Sequence, residues 1–157
     1  MSLNDPVFAT YAVAATLMIL KLMGQGWITV ARMMKVGGGF LNPEDAAGGL
    51  ANPNPRAGQL DPDDYVERSR RMHRNDLENI PGFLIAGLLF ILTDPPLLIT
   101  QLLMYGFVLT RAVHFWAYIT AKSHEVRATF YTIGSLIVIG QSVYVLIHVL
   151  TWNRLAG

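Results

Sequence analysis

The run Glu67-Arg68-Ser69-Arg70-Arg71-Met72-His73-Arg74-Asn75-Asp76-Leu77-Glu78-Asn79-Ile80-Pro81 passes without a break into an apolar segment, residues 82–93. At about 100° per residue, Glu67, Arg71, Arg74, Asn75 and Glu78 fall on one helical stripe. That stripe sets guanidinium and amide donors between two carboxylates where a helix enters apolar surroundings. One reading is a solvated face laced with intrahelical ion pairs. The other is a site, because charge that meets an apolar span is costly unless it serves a ligand or a pairing network.

Outward from this run the chain divides into four apolar stretches. The pattern predicts helices over residues 7–36, 64–92, 97–121 and 126–152, with a loop over 37–63. Pro6 behind Asn4 and Asp5 suits a first helical turn, and Gly37-Gly38-Gly39 a helix end. The loop is rich in Gly, Pro, Asn and Ala, and Asn42-Pro43-Glu44-Asp45 reads as a turn or a short helix start. Asp63 or Asp64 suits the start of the second helix, and Pro81 is expected to kink it. Lys21 falls in the middle of the first apolar stretch, where it either snorkels or faces a bundle interior. Trp152, Asn153 and Arg154 read as an interfacial anchor.

The 157 residues suffice for one domain, and 52% hydrophobic residues with a mean hydropathy of +0.37 are high for a soluble one. The expected fold is therefore an all-α integral membrane protein, a four-transmembrane-helix antiparallel bundle spanning residues 1–157 as one domain. The first helix lacks a basic leader and a small-residue cleavage site, so it reads as a mature membrane helix. A formal net charge of +1 gives no field for nucleic acid, which is not an expected partner. No cysteine is present. A disulfide, a cysteine nucleophile and a thiolate metal cage are excluded, and thiol chemistry needs a thiol from a cosubstrate.

Two further polar faces answer the first. Arg111, His114 and Tyr118 stand at i, i+3 and i+7 on the third helix, and Arg127 and Tyr131 open the fourth. His73 lies on the far side of its helix from the stripe and reads as structural. Arg111 and His114 also have a plain structural reading, as partners of second-helix acids inside the bundle. Basic residues crowd the first and third connections, so both are expected to be cytoplasmic, with both termini on the opposite side. All the polar stripes then meet at one end of the bundle. Arg32, Arg71, Arg74, Asn75, Glu78, His114, Tyr118, Arg127 and Tyr131 are the candidate binding residues. Arginines read carboxylates or phosphates, and a partly buried Glu suits an ammonium. A ligand with two carboxylates and one amine would use this set; an anionic lipid headgroup would leave Glu78 without a role. Arg127 near a helix start would also favour a thiolate.

Glu67-Arg68-x-x-Arg71-x-His73-Arg74-Asn75-Asp76-Leu77-Glu78-Asn79-Ile80, preceded by Phe40-x-Asn42-Pro43-Glu44-Asp45, resembles the MAPEG family of membrane glutathione-dependent proteins. Arg111-x-x-His114-x-x-Ala117-Tyr118 and Arg127-Ala128-x-x-Tyr131-Thr132 carry the resemblance through the third and fourth helices. It is nearest to the microsomal glutathione transferase and microsomal prostaglandin E synthase branch. The resemblance implies a homotrimer with glutathione as cosubstrate, bound between subunits at the cytoplasmic end. It implies glutathione contacts at the nine candidate residues, with Arg127 at the sulfur and Tyr131 beside it as the catalytic pair. The expected activity is a membrane-bound glutathione transferase acting on lipophilic electrophiles that arrive through the membrane lipid, with a possible peroxidase activity. The synthase pattern has a serine after the arginine; Ala128 stands there, as in the transferase branch, while Tyr131 is more like the synthase.

Two other classes are set against this. A non-catalytic lipid-binding or scaffold member would not need Arg127 and a complete second-helix stripe. A haem-carrying bundle would use a pair among His73, His114 and His148, but His114 and His148 fall at unequal depths.

Overall fold

The computed structural model describes the backbone of residues 2–50 and 52–155, and side chains as far as Thr151. The anchor expected at Trp152, Asn153 and Arg154 lies outside the described side chains. Four long helices follow one another: α1 Pro6–Val36, α2 Asp64–Ile91, α3 Leu97–Ile119 and α4 His124–Leu155, with one turn of 3₁₀ helix at Pro43–Ala46 between α1 and α2. Helices α1, α3 and α4 are long and apolar enough to cross a membrane. The charged first half of α2 keeps it below that measure.

Local chemistry explains each boundary. Asp5 accepts from the Val7 amide with Pro6 as first helical residue, and Gly37 at φ 61° closes α1 in the left-handed region. Asp63 caps α2, accepting from the Tyr65 and Val66 amides. Helix α2 is continuous through Pro81, whose missing N–H leaves the Leu77 carbonyl without that helical donor. Helix α4 begins at His124, two residues before the expected start, and α3 ends two residues short of it. The long first connection is held by side chains: Arg56 donates to the carbonyls of Val36 and Gly37, and Asn52 pairs with Gln59.

Consecutive helices run antiparallel, but their arrangement is not a simple sequential ring. Helix α1 packs on α2 and α3, α4 packs on α3 and α2, and α1 does not touch α4. Helices α2 and α4 therefore lie side by side and run the same way. The paired contacts Glu78–Tyr131, Asn79–Ser135 and Phe90–Tyr144 advance together along both. Close α3–α4 packing needs Gly134, where an added Cβ would stand 3.2 Å from Thr110 Oγ1. The apolar core draws on α1, α2 and α3, with Ala14, Met18, Ile80, Phe83, Phe90, Met104 and Phe107 buried and the Phe83 and Phe107 rings stacked at 4.0 Å. Large side chains such as Leu20, Met23, Leu136, Ile139 and Leu146 point outward, as the lipid-facing side of a membrane bundle requires.

Polar groups sit inside this apolar frame in a row along the α1–α2 contact. Lys21 faces the bundle interior and forms an ion pair with Asp76, whose side chain is fully buried. One turn further along α1, Gln25 donates to Ser69 Oγ at 2.8 Å, and Arg32 donates to the Tyr65 carbonyl at 2.8 Å. These contacts fix the register of α1 against α2. Removing one partner leaves a buried charge alone. Lys21→Met is therefore expected to destabilise by about 3–5 kcal/mol, with most of the loss recovered when Asp76→Leu is added. Melting temperatures of the single and double variants in detergent check this.

Candidate functional site

Where α2, α3 and the start of α4 converge, a cavity of about 200 Å³ is lined by Asn75, His114, Tyr118, His124, Arg127, Ala128 and Tyr131. Helix α2 contributes Asn75, whose Nδ2 donates to the Tyr118 hydroxyl at 2.7 Å. Helix α3 contributes His114 and Tyr118, one turn apart, with ring centroids 4.9 Å apart. Helix α4 contributes Arg127 in its first turn, its guanidinium 4.9 Å from the Tyr118 ring. Tyr131 follows one turn later and donates to Glu78 Oε2 at 3.2 Å. Below that bond, Ser135 donates to Asn79 Oδ1 at 2.8 Å and holds α4 against α2.

The charge of this region is uneven. Asp76 is paired to Lys21, while Arg111, fully buried one turn before His114, has no carboxylate within ion-pair distance among the described residues. Its Nη1 reaches the Asn75 carbonyl at 3.5 Å, and its Nε and Nη2 have no partner. The alternative reading of Arg111 as the partner of a second-helix acid is not met by a direct ion pair among the described residues; Asp76 meets Lys21 through Oδ2, and its Oδ1 has no partner there. Arg127 and the N-terminal turn of α4, whose free amides carry partial positive charge, add to the same end.

The other candidates are placed elsewhere in the single chain. Arg32 is buried, with its guanidinium over the Tyr65 ring at 4.2 Å. Arg71 is exposed and donates to Asp64 at 3.0 Å, and Arg70 pairs with Glu67. The upper part of the stripe thus carries intrahelical ion pairs. Arg71 and Arg68 hold the Asp64 carboxyl below its ordinary range. That contribution is present above the usual carboxylate pKa and is lost as the pH falls through the depressed value. Arg74 and His73 line a second cavity of about 490 Å³ between α1, α2 and the first connection, with Asn42 and Asp45 on its opposite wall. His73 approaches Gly26, where an added Cβ would lie 3.8 Å from Cε1.

Two residues escape a reading of the motifs alone. Asp76 is the counter-ion of Lys21, and the signal was Lys21 itself, a cation in mid-span that needs an acid. His124 lines the cavity because α4 starts early and puts it one turn before Arg127.

A four-helix protein with a cavity lined by an arginine, two histidines, two tyrosines and an asparagine, and with helices able to cross a membrane, is the class that this geometry defines. The MAPEG family model matches residues 9–147. Microsomal glutathione S-transferase 1 of Bos taurus is 38% identical over 134 residues, covering 84% of each chain. The Homo sapiens protein of that name is 37% identical, again over 84% of each chain. Prostaglandin E synthase of Macaca fascicularis is 32% identical over 137 residues, 87% of this chain and 86% of the relative. The chain belongs to the MAPEG family.

The Asn75–Tyr118 bond is the tightest polar contact across the cavity. Tyr118→Phe removes its acceptor and leaves the part-buried amide unpaired, a loss of about 1–3 kcal/mol. Arg71→Ala, which breaks only an exposed pair, is expected to leave the melting temperature in place. Thermal melts of the two variants side by side read the contrast.

Proposed function

We propose that the protein is a membrane-bound glutathione transferase that presents the glutathione thiolate to lipophilic electrophiles entering from the bilayer. The observation that carries this is the convergence of Arg127, Tyr118, Asn75, His114 and the Tyr131–Glu78 pair on one cavity at the start of α4. The similarity to microsomal glutathione S-transferases supports glutathione as cosubstrate. With no cysteine of its own, the protein brings no sulfur nucleophile to the reaction. Its part is to bind, to orient and to favour the ionised thiol. Arg127 stands with the α4 N-terminal turn as the thiolate's electrostatic partner. Tyr131 orients Glu78, which suits the ligand's ammonium, and the arginines of α2 suit its carboxylates. Ala128, between Arg127 and Tyr131, offers no hydroxyl to assist an isomerisation, which favours conjugation over the synthase reaction.

The site is shared between copies of the chain. A cavity of about 200 Å³ lies below the roughly 300–1,000 Å³ that small-molecule sites usually occupy, so a second wall is needed. Arg74 and Glu78 are exposed on α2, next to the level where His73 meets Gly26 in apolar α1. Such charges are costly against lipid and acceptable against a neighbouring subunit or a ligand. A homotrimer, as in the family resemblance, supplies that cover, with the cavity toward the cytoplasm and both termini opposite. All four helices then cross the membrane, α2 with its charged half sheltered by the assembly.

Two measurements test this reading. Free thiols titrate near pKa 8.5, so a bound thiol must be stabilised as its anion to react well at neutral pH. Arg127→Ala is expected to raise the bound thiol's pKa and remove most turnover of a halo-aromatic acceptor, with a modest loss of glutathione affinity. Unchanged thiolate absorbance in the variant would refute the role. For the shared site, native mass spectrometry of the detergent-purified protein should give a trimer, and a monodisperse, fully active monomer contradicts it.

A further inference from the structure

Arg111 is the largest fully buried side chain of the protein, yet it does not line the cavity. Its setting is unusual for an interior arginine. Two of its three nitrogens, Nε and Nη2, have no partner, and the third makes only a 3.5 Å contact to the Asn75 carbonyl. An unpaired guanidinium is among the most costly groups to bury, and a merely structural arginine would be matched to a carboxylate. The nearby carboxylate, Asp76, is paired with Lys21 through Oδ2, and its Oδ1 makes no hydrogen bond to Arg111 or to any other described residue. Two buried cations therefore share one buried anion, and the interior keeps one positive charge in excess.

The direction in which that charge acts follows from what Arg111 touches. Its guanidinium carbon lies 5.9 Å from the centroid of the Tyr131 ring. The Asn75 backbone that it contacts carries the side chain bonded to Tyr118. His114 stands one turn further along α3 and faces the cavity. Asn75 and Tyr131 are thus the two walls through which Arg111 is felt, with Glu78 beyond Tyr131 and Arg127 beside Tyr118. Asp76 and Lys21 face it from α2 and α1.

Resting on the glutathione reading above, we propose that Arg111 is a positioning residue. It is a buried second cation behind the cavity that holds Asn75 and Tyr131 in place and raises the positive potential at the bound sulfur. Arg127 is then the contact charge and Arg111 the permanent one, shielded from solvent and so little weakened by salt. No bond forms or breaks at Arg111. It favours loss of the thiol proton to solvent or to a cavity base.

The test is the pH midpoint of bound-thiolate absorbance, measured on the full-length protein in detergent with saturating glutathione. Arg111→Gln removes the charge at similar size and should move the midpoint up by about one pH unit, a tenfold loss of thiolate below both midpoints. Arg111→Lys keeps the charge and should restore most of the shift. Asp76→Asn removes the compensating anion and should move the midpoint the other way, downward; because it also leaves Lys21 without its partner, it is read below its own lowered melting temperature, and it gives an independent reading if Arg111→Gln does not fold. A folded, glutathione-binding Arg111→Gln with the wild-type midpoint overturns the inference, as does an Asp76→Asn midpoint that stays or rises. A wild-type protein that binds no glutathione in calorimetry overturns the functional reading, and this inference with it. Failure of the variants alone leaves that reading standing.

Discussion

The ion pair between Lys21 and Asp76 is the constraint on which the rest of the structure depends. A lysine halfway along an apolar helix must find an anion, and the acid it finds lies within the polar run of α2. Once that contact is made, α1 and α2 have one register. Gln25 meets Ser69 and Arg32 meets Tyr65 at steps that follow from it. The same contact turns Asn75, the residue just before Asp76 in α2, toward Tyr118 of α3. The position of one wall of the cavity is therefore a consequence of how a charge in α1 is neutralised.

The helix order then decides which residues can meet. Because α1 and α4 occupy opposite corners, α4 is free to lie along α2 in the same direction. Advancing along α2 thus meets advancing positions on α4, with Glu78 opposite Tyr131 and the adjacent Asn79 opposite Ser135, one turn further on. A sequential ring would separate α2 from α4. The buried polar bonds along this seam are each modest, about 1 kcal/mol. Their effect is positional, since they hold the first turn of α4, and with it Arg127, beside the middle of α2 and the end of α3.

Much of this was legible in the sequence, and what was not has a physical reason. Helix positions followed from apolar length, Gly37 and Asp63, and the site residues of α2, α3 and α4 from their spacing. The shared face of the α2 stripe was less legible, because long arginine side chains do not follow the angle of their Cα atoms. Arg71 turns back to Asp64, and Arg74 reaches toward the first connection. The partnership of Lys21 with Asp76 was half visible: the need for an anion could be read, but a register between two helices is set by all their contacts together. The adjacency of α2 and α4 is a property of three-dimensional packing that no local pattern encodes.

The division of the polar stripe has a functional consequence. Near the start of α2, where the helix is hydrated, the charges neutralise one another within a turn and are tolerant of change. Deeper along the helix, neutralisation within α2 stops. Asp76 pairs with Lys21 of α1, Asn75 and Glu78 go to α3 and α4, and Lys21 and Arg111 together leave one positive charge in excess over Asp76. A protein keeps such an imbalance in its interior only where something outside the chain completes it, because a buried unpaired charge is among the strongest destabilising features a fold can carry. On the function proposed above, an anionic sulfur held at Arg127 would supply the missing negative charge, and the bundle would be electrostatically complete with the ligand bound and ionised.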